Sequence, residues 1–186
     1  STVTAFSYKF SGGAIEIIST GGTKFGSIYI DGFILSESSG SGSGCNPGHG
    51  GFINIIDHRY TLTIDGNAKV SSKGGDPGAD LVHLQGCLSV TINGLVQSTG
   101  IGHGVPTCPK THLVPPYRPD KPANSTAGVE VWSSGIITIT GEIKADLCCG
   151  GGTTGESWID IFAAADITIL GSPNVADNFA VHANGF

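Results

Sequence analysis

Ile137-Thr138-Ile139-Thr140-Gly141 decides the fold, because the chain repeats its pattern five times. The other copies are Ile28-Tyr29-Ile30-Asp31-Gly32, Leu62-Thr63-Ile64-Asp65-Gly66, Val90-Thr91-Ile92-Asn93-Gly94 and Ile167-Thr168-Ile169-Leu170-Gly171. Their glycines lie 34, 28, 47 and 30 residues apart. A second apolar-x-apolar strand precedes each copy: Ile15-Glu16-Ile17, Ile53-Asn54-Ile55, Val82-His83-Leu84, Val129-Glu130-Val131 and Ile159-Asp160-Ile161. A third, weaker strand follows the Gly at 33–36, 68–71, 95–98 and 142–145, and the fifth repeat keeps only a trace of it.

Three short strands in a repeat of roughly 30 residues fit a triangular solenoid whose coils stack about 4.8 Å apart. The expected fold is therefore all-β: a right-handed parallel β-helix (β-solenoid) of about five coils, forming one domain over 1–186. In each apolar-x-apolar strand the flanking residues point inward and the middle one outward. The Gly marks a corner where a side chain or a negative φ would interfere. No coil buries its aliphatics alone, so stacking must build the core. An antiparallel sandwich of about ten strands explains the alternation but not the fixed strand–Gly–strand order.

Composition agrees. Hydrophobic residues make up 39% and charged residues 13%, with 30 glycines that follow no period of three. That excludes both a disordered chain and collagen. No window carries apolar residues at helical spacing. A net charge of −6, with nine Lys and Arg forming no patch, argues against a nucleic-acid partner, which needs phosphate neutralisation. No run of eighteen apolar residues exists, so no membrane span is expected. The initial Ser and the lack of Met fit a processed or excised segment, any signal peptide already removed. Five cysteines and a polar surface fit a secreted, extracellular or cell-surface location. Asn124-Ser125-Thr126 matches the glycosylation sequon but carries little weight alone.

The repeat is interrupted twice. Residues 37–51 form a Gly/Ser-rich connection, and about 101–128 form a Pro-rich loop containing Pro106, Pro109, Pro115, Pro116, Pro119 and Pro122. Proline cannot donate to a ladder, so the second is a projecting loop, the kind of place where binding residues gather.

The segments Val90-Thr-Ile-Asn-Gly-Leu-Val-Gln-Ser98, Ile137-Thr-Ile-Thr-Gly-Glu-Ile-Lys-Ala145 and Gly150-Gly-Gly-Thr-Thr-Gly155 resemble secreted bacterial β-helix repeat proteins, the filamentous-haemagglutinin-like surface proteins. The likeness covers most of 14–171. It implies an extracellular scaffold or adhesion role and brings no catalytic residues with it.

Several constellations could carry chemistry. The outward positions of the Thr-Ile strands read Tyr29, Thr63, Thr91, Thr138 and Thr168, a column that could order water as in ice-binding proteins. An outward Thr is also the ordinary choice of a strand. The outward positions of the first strands read Glu16, Asn54, His83, Glu130 and Asp160. Glu130 and Asp160 on adjacent coils, with His83 beside them, could serve a polysaccharide-cleaving site, whose minimum is a carboxylate pair. A solvated polar face is the plainer account, since no aromatic platform is expected beside the column. Asp31, Asp65 and Asn93 precede corner glycines and could bind calcium, although Asx residues before Gly commonly just close turns. Cys45, Cys108, Cys148 and Cys149 share one edge and are the disulfide candidates, with Cys87 on another corner. His49 and His103 each stand in Gly-His-Gly near a cysteine, at a spacing matching no compact metal motif.

The first functional expectation is a non-catalytic extracellular structural or adhesive solenoid, a segment of a larger surface protein or a filament subunit. Ala180-Val181-His182-Ala183-Asn184-Gly185 reads as the start of another strand, which leaves the ends open for self-association. A carbohydrate-binding or carbohydrate-cleaving protein is the alternative, and an ice-binding protein the next.

Overall fold

The computed structural model describes residues 2–7, 13–20, 26–38, 51–74, 81–101, 126–148, 156–170 and 180–184. Among these no residue is helical, and sixteen strands form three sheets. The first face holds β1 (Thr2–Ser7), β4 (Phe33–Ser38), β7 (Lys69–Lys73), β10 (Leu95–Ile101), β13 (Glu142–Cys148) and β16 (Val181–Asn184). The second holds β2 (Ile15–Ser19), β5 (Ile53–Asp57), β8 (Leu81–Gly86), β11 (Thr126–Ser133) and β14 (Glu156–Ala163). The third holds β3 (Ile28–Ile30), β6 (Thr61–Ile64), β9 (Ser89–Ile92), β12 (Ile136–Ile139) and β15 (Ile167–Ile169). Every third strand in the chain returns to the same face, and every pair is parallel. This is a β-solenoid of about five coils.

The register follows the repeat residue for residue. Ile28, Leu62, Val90, Ile137 and Ile167 form one column, and Ile30, Ile64, Ile92, Ile139 and Ile169 another. In the middle coils these side chains are fully buried, as are Ile53, Ile55, Val82, Leu84, Val129 and Val131 from the second face. Alternation along each strand therefore sends one set of aliphatics into a single axial core.

Two strands depart from the expected count. β1 adds a turn of the first face before the first full coil, pairing with β4 from Thr2↔Phe33 to Ser7↔Ser38. β16 is the strand read at 180–185; it lies beside β13 with Ile143↔Val181, so residues 181–184 are the third strand of coil five, of which the sequence shows only a trace. The Pro-rich stretch falls between β10 and β11. Ile101 closes β10 and 126–128 open β11, while residues 102–125 lie outside the described residues.

The corners depend on close backbone approach. A Cβ on Gly94 would lie 2.3 Å from the Asp65 carbonyl oxygen and 2.4 Å from that of Ala68. On Gly141 it would lie 2.1 Å from the Gly94 carbonyl oxygen. Neither glycine takes the left-handed conformation, so the missing side chain is what these corners use. Gly66 differs, with nothing nearer than 4.0 Å. Another corner is held by Asp57, a fully buried carboxylate. Its Oδ1 accepts the Arg59 and Tyr60 N–H groups at 3.0 and 2.7 Å, and its Oδ2 accepts the Ile28 N–H of the preceding coil at 3.1 Å. The carboxylate thus closes an Asx turn and ties two coils together.

Gly141→Ala should destabilise the protein by about 2–3 kcal/mol, because the new methyl meets rigid backbone. Gly66→Ala should stay within about 0.5 kcal/mol of the parent. Urea denaturation followed by circular dichroism checks both, and equal costs at the two positions would refute the close-approach account.

Candidate functional site

The three faces differ in chemistry. The strands of the third face, Ile28–Ile30, Thr61–Ile64, Ser89–Ile92, Ile136–Ile139 and Ile167–Ile169, contain no charged residue. Those of the second face carry Glu16, Asp57, Glu130, Glu156 and Asp160 and neither Lys nor Arg. The first face mixes Lys69, Lys73 and Lys144 with Glu37, Glu142 and Asp146. Its last coils carry a polar network in which His182 Nε2 lies 3.1 Å from Asp146 Oδ2, and Asn184 Nδ2 donates to Asp146 Oδ1 at 3.2 Å.

On the second face the row Glu16, Asn54, His83, Glu130 and Asp160 is in register across all five coils. His83 Nδ1 lies 3.0 Å from Glu130 Oε2, joining coils three and four. Glu130 is only 5% exposed despite its outward position. Asn54 is buried too, and its Oδ1 has no hydrogen-bond partner. With Glu130 buried and held by His83, the carboxylate of this row that stands at the surface of the last two coils is Asp160.

An aromatic platform does flank the row, contrary to the sequence reading. Trp132 and Phe162 are paired across β11 and β14, one outward position along from Glu130 and Asp160. They are 38% and 64% exposed, with ring centroids 6.1 Å apart and planes tilted by 51°. The His83 ring meets Trp132 edge-on at 5.9 Å, so one imidazole braces both the Glu130 carboxylate and the indole. Trp132, Ile159, Asp160, Ile161 and Phe162 line an open depression of about 520 Å³. On the other side of the row the Trp158 indole lies over Gly128, where a Cβ would come within 2.4 Å of the ring. The signal was present in the sequence: Trp132 and Phe162 stand two residues after Glu130 and Asp160, hence on the same face of their strands. A flat ring beside a carboxylate can stack on an apolar sugar face while the carboxylate accepts a hydroxyl proton.

The Thr column is also in register, with Tyr29↔Thr63↔Thr91↔Thr138↔Thr168. Thr61 Oγ1 donates to Ser27 Oγ at 2.8 Å, and Ser89 aligns with Thr61 to extend a second hydroxyl row. Ile136 then replaces the hydroxyl, so the paired array spans three coils. Asp31 and Asp65 hold equivalent places one coil apart, followed by Asn93 and Thr140, whose Oγ1 donates to Asn93 Oδ1 at 2.7 Å. The Tyr29 hydroxyl bonds the Asp65 carboxylate. Among the described residues no group of three or more His, Cys, Asp or Glu is placed to hold a metal. Cys45, Cys108, Cys149, His49 and His103 lie outside the described residues; the backbone of Cys148 ends β13, and Cys87 carries a free, partly exposed thiol.

That bond to Asp65 raises the Tyr29 pKa, with some desolvation and the negative charges of Asp65 and Asp31 adding to it. Because the folded value is raised, the stabilisation is fully present below the ordinary tyrosine range and is lost as pH climbs through the higher folded value. An ultraviolet pH titration, taken as the difference from Tyr29→Phe, should place this phenol above free tyrosine. Asp65→Asn should bring it back down.

Searches against family models, curated proteins and solved structures find no match to this chain.

Proposed function

We propose that the chain is a non-catalytic, extracellular adhesive β-solenoid that binds polysaccharide on its second face. The observation that carries this reading is the exposed Trp132–Phe162 pair beside Asp160. Binding is favoured over cleavage because Glu130 is buried and held by His83, whereas hydrolysis needs two carboxylates reaching the scissile bond. The coils wind right-handedly, the hand that parallel strands joined by a crossover almost always take. The likeness of its repeats to filamentous-haemagglutinin-like surface proteins supports secretion and an adhesive role.

Affinity electrophoresis through gels containing neutral, acidic or amino polysaccharides tests the reading. The protein should be retarded in at least one gel. Trp132→Ala should weaken retention about tenfold, the loss of roughly 1.4 kcal/mol that one aromatic contact commonly supplies. Mobility unchanged in every gel would remove the proposal. Release of reducing ends that disappears in Glu130→Gln/Asp160→Asn would replace binding by cleavage.

A second reading rests on coil five. Ile167 and Ile169 are 44% and 47% exposed, whereas Ile137 and Ile139, one coil earlier in the same columns, are fully buried. A second copy stacking on this rim would extend the core and make a filament. Light scattering should then show mass rising with concentration, and Ile167→Lys/Ile169→Lys should abolish the rise. A constant monomer mass would exclude stacking.

A further inference from the structure

We infer that the second face takes a neutral, extended polysaccharide of β-1,4-linked rings lying along the solenoid axis, one sugar to each coil, on an outward row that runs from Ile18 to Phe162. This rests on the polysaccharide reading above and narrows it to one class of chain in one orientation.

The Trp132–Phe162 pair is the end of a longer row. Ile18 pairs with Ile56, Ile56 with Gln85, Gln85 with Trp132 and Trp132 with Phe162. The second outward position is therefore in register through all five coils, parallel to the row that begins at Glu16. Ile18 stands 49% exposed at one end and Phe162 64% exposed at the other, with Ile56 and Gln85 partly exposed between them. Single apolar side chains at a surface need no explanation, but an aligned run of them marks a contact. Gln85, the polar member, offers a donor and an acceptor in the middle of the row.

Spacing selects the occupant. Stacked parallel strands repeat about every 4.8 Å, close to the advance of one pyranose ring along a flat β-1,4 chain. Trp132 and Phe162 take that step with centroids 6.1 Å apart. A chain laid along the axis meets a new apolar or amide group at each ring, and its C–H faces stack on them. A chain laid across the coils would touch one member of the row, and a coiled α-linked chain would leave the row after a ring or two. Charge selects the sign of the polymer. An anionic chain needs cationic partners, and the strands of this face offer neither Lys nor Arg, on a protein of net charge −6.

The test is calorimetric titration with cello-, xylo- and manno-oligosaccharides of two to six rings. In at least one series the affinity should rise about threefold for each ring added up to five and then level off, the scale of one modest stacking contact per coil. Ile18→Ser, at an exposed site where folding is safe, should weaken the hexamer about threefold and leave the dimer unchanged, because the dimer sits on the aromatic pair. Phe162→Ala should weaken both. Gln85→Ala should weaken only oligomers longer than the dimer. Affinity that stops rising at two rings, or a hexamer indifferent to Ile18→Ser and Gln85→Ala, would overturn the inference and leave polysaccharide binding intact. Oligogalacturonates or malto-oligosaccharides bound as tightly would do the same. Binding to no glycan of any class would overturn both, and a dimer of the protein that Ile18→Ser and Phe162→Ala each dissolve would then assign the row to a second copy.

Discussion

The constraint on which the molecule depends is the backbone spacing of an in-register parallel ladder. Once Ile64 pairs with Ile92 and Ile92 with Ile139, each residue of these strands is placed above its counterpart on the next coil. The aliphatic core, the rows of outward side chains and the crowding at the corners all follow. Gly94 and Gly141 are the clearest expression of it, since one coil's carbonyl oxygens occupy the volume a side chain on the next would need. The same spacing sets His83 within hydrogen-bond reach of Glu130, so the candidate site is a product of stacking and not of any single loop.

Much of this was legible in the residues because period-two alternation fixes direction and the repeat fixes register. The columns Glu16 to Asp160 and Tyr29 to Thr168 could be written down before any coordinate was known. What escaped was less patterned. β1 lacks the Thr-Ile-x-Gly ending, and although 180–185 reads as a strand, its place in coil five does not follow from the residues, because β16 offers Val181 as its one inward aliphatic in register with Ile143. Its place is set by the ladder that β13 presents and scarcely by its own composition. The purpose of the corner glycines was also only half read, because a tight φ and a close neighbour leave the same letter in the sequence.

The aromatic platform was missed for a different reason. Attention to the middle residue of each apolar-x-apolar triplet ignores the next outward position, where Trp132 and Phe162 stand. The strands of this face run five to eight residues, long enough to present two outward rows in place of one. The second row turns an acidic stripe into a surface with both shape and charge. Buried Glu130 and partnerless Asn54 Oδ1 show that the stripe is partly sheltered from water, where polar contacts count for more.

The division of charge among the three faces has a consequence for how the molecule approaches other bodies. Among the described strands one side of the prism is uncharged, one acidic and one of mixed sign, and the charges of these strands, taken by themselves, make an electric moment across the axis. Near a charged surface such an object feels a torque as well as a force, and the torque acts before contact. Encounters would be sorted by rotation about the long axis, with the acidic side swung toward positive surfaces and the hydroxyl-bearing side left to glide past without preference.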